Sequence, residues 1–339
     1  MSSGTDAQLA ILMALRIGTG DAVITTPYTF FATAGCIHRV GAEPVFVDVE
    51  NETLNLDPAK LREYLETRCH AGDDESLLTP NGNRIRAIIP VHLFGMCCGM
   101  DEILEIAAAH GLEVIEDAAQ AAGAEYRGRA GVGKAGSLAR SAYFSFFPTK
   151  NLGGAGDGGM SVCRDTELAD RLRLMRNHGM EHRYFHREVG GNFRLDAIQA
   201  AVIHAKLPYL AGWNAQRRSN AAHYRAAFAE RGLLGEFLTP PPAHDPSLEN
   251  SHIYHQFVIR ARDRDNLMAH LQASGIGCAI YYPVPLHLQE CFAGLGYKPG
   301  DLPVSEAAAR ESLALPIFPE LLPEEIEAVC DAIRDHYRK

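Results

Sequence analysis

The sequence predicts an α/β fold, with a mainly parallel central sheet flanked by helices and a smaller α+β unit at the carboxyl end. Three observations lead there. Between Asp21 and Arg129, short β-branched runs alternate with stretches of helical periodicity. A long helical stretch begins near Leu195, is interrupted by Pro208 and resumes through Trp213, Arg217, Ala221 and Tyr224 to Gly232. Beyond the loop Thr239-Pro-Pro-Pro-Ala243 a second, shorter alternation follows. The interrupted helix divides the chain into a large domain, residues 1–206, and a small one with its linking helix, residues 207–339.

Taken in order, Ser3-Gly4-Thr5-Asp6 opens an amphipathic helix with Leu9, Leu12 and Met13 on one face, ending before Gly18. A glycine and a hydroxyl at a helix N-terminus suit a phosphate, because free N–H groups and the positive dipole end point outward together. Plain capping by Ser3 or Thr5 is the competing use. Strands are expected at Ala22–Thr25, Pro44–Asp48, Ala87–Val91 and Leu112–Ile115, with a helix from Asp101 to His110. In such a sheet ligands gather at the carboxyl ends of the strands, where Asp117 and the loops after Thr26 and Val91 lie. The small unit is expected as strand Tyr254–Arg260, helix Arg264–Ala273, strand Gly277–Tyr282 and helix Pro323–His336.

At 339 residues, 47% hydrophobic and 22% charged, the chain has a globular composition. Its net charge of -10, with no basic run, argues against nucleic acid or an anionic membrane as partner. No stretch approaches the roughly 20 apolar residues of a membrane span, and the start lacks a secretory pattern. Eight cysteines without a CxxC pair read as reduced thiols of a cytoplasmic protein. His178, His182 and His186 lack metal-ligand spacing, so no metal is expected. The run Gly153-Gly-Ala-Gly-Asp-Gly-Gly159 matches neither a dinucleotide fingerprint nor a P-loop.

The chemistry is concentrated in Ser145-Phe-Phe-Pro-Thr-Lys150 and in Glu116-Asp117-Ala-Ala-Gln120, which follows an apolar strand. A lysine amine, an aspartate and a serine are what pyridoxal 5'-phosphate (PLP) requires. The amine condenses with the aldehyde, the carboxylate keeps the pyridine nitrogen protonated, and the hydroxyl holds the phosphate. Taken singly, Lys150 is also readable as a solvated loop lysine and Asp117 as a helix N-cap. Phe30 could stack on the pyridine or simply pack in the core. Asn192 and Arg194, in Gly190-Gly-Asn-Phe-Arg194, place an amide and a guanidinium ahead of a helix, suited to phosphate and carboxylate.

These segments together resemble the DegT/StrS family of PLP-dependent nucleotide-sugar aminotransferases, over nearly the whole chain. The carriers are Ser3-Gly-Thr-Asp-Ala7, Thr25-Thr-Pro-Tyr-Thr-Phe-Phe-Ala-Thr33, Pro90-Val-His-Leu-Phe-Gly95, the Asp117 and Lys150 segments, Gly158-Gly159, Gly191-Asn-Phe-Arg194 and Tyr282-Pro-Val-Pro-Leu-His287. The resemblance implies fold type I, the aspartate aminotransferase-like class, and transfer of an amino group from L-glutamate to a keto nucleotide sugar. The Tyr282 segment is closer in form to 3-oxo than to 4-oxo sugar enzymes. Under this resemblance Lys150 is catalytic, and Gly4, Thr5, Phe30, Asp117, Gln120, Ser145 and Asn192 bind the cofactor. Asn192 would reach it from the other subunit of a homodimer. Tyr184, His186, Arg194, Tyr282 and His287 become candidates for substrate contact. Family members carry further residues ahead of the Ser-Gly-Thr segment, so the amino-terminal edge of the large domain is expected to be truncated here. Within the same fold, related sugar dehydratases carry histidine where Lys150 stands, and a binding-only regulatory homologue is the other alternative.

Overall fold

The computed structural model describes residues 1–72 and 76–338. Its main sheet runs in the order Gly159–Cys163, Ser141–Ser145, Glu113–Asp117, Arg84–Ile88, Asp21–Thr25, Glu43–Phe46. Neighbours along it are parallel, apart from the edge strand Gly159–Cys163, which returns antiparallel to Ser141–Ser145. The central strands are nearly continuous buried runs, as helices on both faces demand. Thr25, Asp117 and Ser145 all end strands at one edge of the sheet. Register brings two of the strands into step there, with Asp117 opposite Tyr143.

The first helix, Gly4–Ala14, is not amphipathic as expected. Ala7, Gln8, Leu9, Ala10, Ile11, Leu12 and Ala14 are all buried. It lies between strands Ser141–Ser145 and Gly159–Cys163 and the helices Ala32–Arg39 and Thr166–Arg176, so little of its surface meets water. Ser3 caps it, accepting from the Asp6 N–H at 3.0 Å.

In the carboxyl-terminal part, helix Ala197–Lys206 passes through a 3-10 turn at Leu207–Tyr209 into helix Leu210–Glu230, so Pro208 sits at the junction. A three-stranded antiparallel sheet of Leu238–Thr239, Phe257–Ala261 and Ser312–Leu315 packs against Leu210–Glu230, Arg264–Ala273 and Pro323–Tyr337. Tyr224, Phe228, Tyr254 and Phe257 fill that separate core, with the Tyr224 and Phe257 rings stacked at 4.8 Å. The expected strand Gly277–Tyr282 does not form; among the described residues its one ladder contact is the bridge Ala279 to Ala314. Pro283 and Pro285 follow at once, and Tyr282 takes a positive φ of 61°, which turns the chain away from the sheet. Ser312–Leu315, buried along its whole length, takes the place beside Phe257–Ala261.

Candidate active site

At the carboxyl edge of the sheet lies a cavity of about 460 Å³, walled by the first helix, the loops after the central strands and the segments 255–256 and 281–282. Gly4, Thr5, Phe30, Asp117, Gln120, Ser145, Lys150 and Tyr282, eight of the sequence-predicted residues, all line it.

Lys150 enters from the loop after Ser141–Ser145, whose turn is closed by the Lys150 N–H donating to the Phe147 carbonyl at 2.9 Å. Gly153 lets the chain double back here, since a Cβ would stand 2.4 Å from the Pro148 carbonyl oxygen. Burial pushes the Lys150 amine down to about 8 from 10.5, against the opposing charge of Asp117. Asp117 ends its strand only 5% exposed. Its Oδ2 accepts from the Tyr143 hydroxyl at 2.6 Å and the Thr33 hydroxyl at 2.9 Å, and its Oδ1 from the Ala119 N–H at 3.1 Å. All three donors are neutral, so the carboxylate remains able to pair with a cation in the cavity. The local turn at Ala119 and an outward-facing charge coexist.

The cradle at the N-terminus of the first helix is built by close approach. A Cβ on Gly4 would lie 2.8 Å from the Ser145 Cβ, so the hydroxyl side chain stands directly against the helix N-terminus. With Ser3 serving Asp6, the Gly4 and Thr5 N–H groups have no acceptor within the helix, and both residues line the cavity. Gly159 belongs to the same construction, since a Cβ there would meet the Ser3 carbonyl at 2.2 Å. Gln120 is held at both ends, accepting from the Phe94 N–H at 2.7 Å and donating to the Tyr282 hydroxyl at 2.9 Å. Phe30 stands 61% exposed on the rim.

Other candidates lie elsewhere. Tyr184 and His186 belong to an exposed hairpin, strands Met180–His182 and Phe185–His186, with Tyr184 77% exposed. Asn192 and Arg194 are exposed beside it, and Arg194 donates to Asn177 Oδ1 at 2.8 Å. None of the four lines the cavity within one chain. His287 does not line the cavity within one chain either. It is buried in the 3-10 turn Leu286–Leu288, its Nε2 is 3.3 Å from Glu306 Oε1, and its ring packs edge-on to Tyr297, away from the cavity. A motif states the order of residues, not the side to which a turn rotates them.

Sequence reasoning passed over Gln8, Thr33, Tyr143, Thr149, His255 and Gln256, which also line the cavity. Gln8 steadies Thr33 by donating to its carbonyl at 2.8 Å. His255 Nδ1 lies 3.1 Å from Asn151 Oδ1, and Asn151 in turn donates to Asn214 Oδ1 at 2.8 Å. Burial, then the charges of Lys150 and Arg217, hold the His255 ring well below the usual pKa of histidine, hence neutral. A depressed amine, a buried carboxylate and a helix-end cradle that a single Cβ would fill suit PLP as a group.

The model of the DegT/DnrJ/EryC1/StrS aminotransferase family matches residues 1–334. The chain belongs to that family. It is therefore a PLP-dependent aminotransferase of fold type I. Similar proteins include the "pleiotropic regulatory protein" of Geobacillus stearothermophilus, 47% identical over 99% of this chain and 84% of that one. A UDP-N-acetyl-3-dehydro-alpha-D-glucosamine 3-aminotransferase of Acidithiobacillus ferrooxidans is 44% identical over 98% of this chain and 82% of its own length. Among solved structures, DesV of S. venezuelae, in complex with a ketimine intermediate, superposes with a TM-score of 0.87 at 40% identity, covering 100% of this chain and 84% of DesV.

Proposed function

We propose that this family member moves an amino group from glutamate to the keto carbon of a nucleotide-linked sugar, a 3-oxo sugar in preference to a 4-oxo one. The product would be an amino sugar for a polysaccharide or a glycosylated metabolite. The observation that carries the reading is Lys150, an amine held near 8 in a cavity it shares with Asp117. When bound, PLP supplies an aldehyde and an electron-withdrawing ring. Lys150 holds the cofactor and, once displaced by the donor, moves a proton; with a pKa of about 8, roughly a quarter of it is free base at pH 7.5. Asp117 would pair with a positive charge on the cofactor's ring nitrogen, and the Thr33 and Tyr143 hydroxyls hold its carboxylate in place. The 3-oxo preference is supported by the name of the Acidithiobacillus relative.

The active unit is proposed to be a homodimer. Tyr184, Phe185, Val189 and Ile198 are large apolar side chains left exposed around the hairpin, a face suited to a second copy. Asn192 and Arg194 are exposed beside that hairpin, and in such a dimer Asn192 would reach the partner's phosphate and Arg194 a carboxylate. Residues 1–206 and 207–339 are proposed as the two domains. No helix among the described residues is long and apolar enough to cross a membrane, and the cytoplasm is the proposed location.

The name of the Geobacillus relative favours a second reading, a PLP-binding regulator. One spectroscopic experiment separates the two. The full chain is loaded with PLP and its visible band followed on adding glutamate, beside Lys150→Ala. Loss of the band to the pyridoxamine form in wild type alone supports aminotransfer; a band indifferent to glutamate supports the regulator. Turnover of paired 3-oxo and 4-oxo nucleotide sugars then tests the sugar preference, which faster 4-oxo turnover refutes.

A further inference from the structure

Arg217, in helix Leu210–Glu230, is a guanidinium only 8% exposed. Its Nη1 donates to the carbonyls of Tyr254, His255 and Ile317 at 3.1, 3.3 and 2.9 Å. These acceptors are neutral. The buried Nε has no acceptor, and Arg217 makes no ion pair among the described residues. Burial pushes its pKa down to about 10, with the charge of Glu320 acting the other way. A buried cation satisfied only by carbonyls keeps its full charge and an unused edge of its planar fork.

That guanidinium lines a second cavity of about 310 Å³. Thr149, His255, Gln256 and Tyr281 wall this space and the Lys150 cavity alike, so the two adjoin beside the catalytic amine. Gln256 Oε1 is buried there without a donor. Rotating the carboxamide would turn its N–H groups to the position the oxygen now holds. A guanidinium edge and an amide N–H converging on a small space are the complement of a carboxylate.

We propose that Arg217 and Gln256 form the seat for a carboxylate of the amino donor. The inference rests on the aminotransfer reading above, and it adds the residues that select an amino acid over a simple amine. Seated on Arg217, the carboxylate leaves the donor's amine to extend past Thr149 and His255 into the Lys150 cavity. Arg194, on the exposed face, is then left for an acidic sugar.

The test is a calorimetric titration of the PLP-loaded full chain with 2-oxoglutarate, which carries the donor's carboxylates but no amine and therefore reports binding alone. Arg217→Gln is the obvious variant, but it also removes the three carbonyl contacts and could unfold the small domain. Gln256→Glu leaves those contacts in place and puts a carboxylate of the chain's own into the seat. We expect Gln256→Glu to melt no lower than wild type and to bind 2-oxoglutarate roughly ten- to a hundredfold more weakly, the range for a charged hydrogen-bonded pair. Affinity for UDP should not change. Three results overturn the proposal: no 2-oxoglutarate binding by wild type, unchanged affinity in Gln256→Glu, or a loss confined to UDP-glucuronate, which would give the seat to an acidic sugar. The glutamate-dependent band of wild type reports separately on aminotransfer. A band that ignores glutamate, with 2-oxoglutarate binding lost in Gln256→Glu, would sink that reading and leave the carboxylate seat standing.

Discussion

Replacing Lys150 by methionine should stabilise the cofactor-free protein, and the gain should depend on pH in a defined way. The amine has a pKa of about 8 in the folded chain against 10.5 when free. At about 1.36 kcal/mol per pH unit, a 2.5-unit depression is a folding penalty near 3 kcal/mol. Access of the amine to water in the cavity puts the expected figure at about 2 to 3 kcal/mol. The sign follows from proton counts. Below pH 8 both states carry the proton and the whole penalty is present; between 8 and 10.5 the unfolded chain binds more protons, so wild-type stability rises with pH; above 10.5 the penalty is gone. Methionine has similar length and no charge, and removes the penalty at every pH. Urea melts of the cofactor-free wild type and Lys150→Met at pH 7 and pH 10 should therefore show a gain at pH 7 that shrinks by more than half at pH 10. A variant less stable at pH 7, or a gain that does not vary with pH, would refute the claim that Lys150 is held in a destabilised state by burial.

Tyr143→Phe removes a 2.6 Å hydrogen bond to the buried Asp117, so a loss of about 1.5 to 3 kcal/mol is expected by urea melt, with weaker PLP retention on dialysis. Gly4→Ala would place a Cβ 2.8 Å from the Ser145 Cβ; despite alanine's better helix propensity, we expect a net cost of about 1 to 3 kcal/mol and a loss of PLP affinity, read by fluorescence titration. Glu116 is raised by burial, but bonds from His92, Ala139 and Gly136 outweigh this and hold it below its ordinary value. Its contribution is therefore complete above about pH 4.5 and lost as pH falls below that, and Glu116→Gln should flatten the acid limb of the stability curve measured by circular dichroism.

Much of the site was legible because a parallel sheet collects its strand ends at one edge. Once Asp117 and Ser145 are read as strand ends, their meeting with Lys150 follows from topology alone. Tyr143 was equally within reach, since it stands two residues before Ser145 and alternation turns both to one face. The first helix was misread because alanine counts weakly in a periodicity argument. Ala7, Ala10 and Ala14 are nonetheless fully buried, because small side chains let strands and helices close on that helix from several sides. His255, Gln256 and Arg217 had no such signal. They reach the site through the docking of the small sheet and the long helix, and no local pattern encodes that docking.

These two groups of residues divide the electrostatic work between them. The main sheet provides the negative charge, Asp117, with neutral hydrogen-bond donors only. The helix and small sheet provide the positive one, Arg217, with neutral acceptors only. Each charge is oriented by bonds to uncharged groups and makes no direct ion pair among the described residues, an arrangement that costs stability unless a ligand completes it. The two deficits have opposite sign and lie in two cavities that share Thr149 and His255 as walls: Asp117 calls for a cationic ring and Arg217 for a carboxylate. A ligand pair carrying both charges, cofactor and amino acid together, should then stabilise the protein by more than the sum of PLP alone and 2-oxoglutarate alone. Thermal shifts with each ligand and with both test this directly. Strict additivity would mean that the two cavities bind their ligands independently and would refute the coupling.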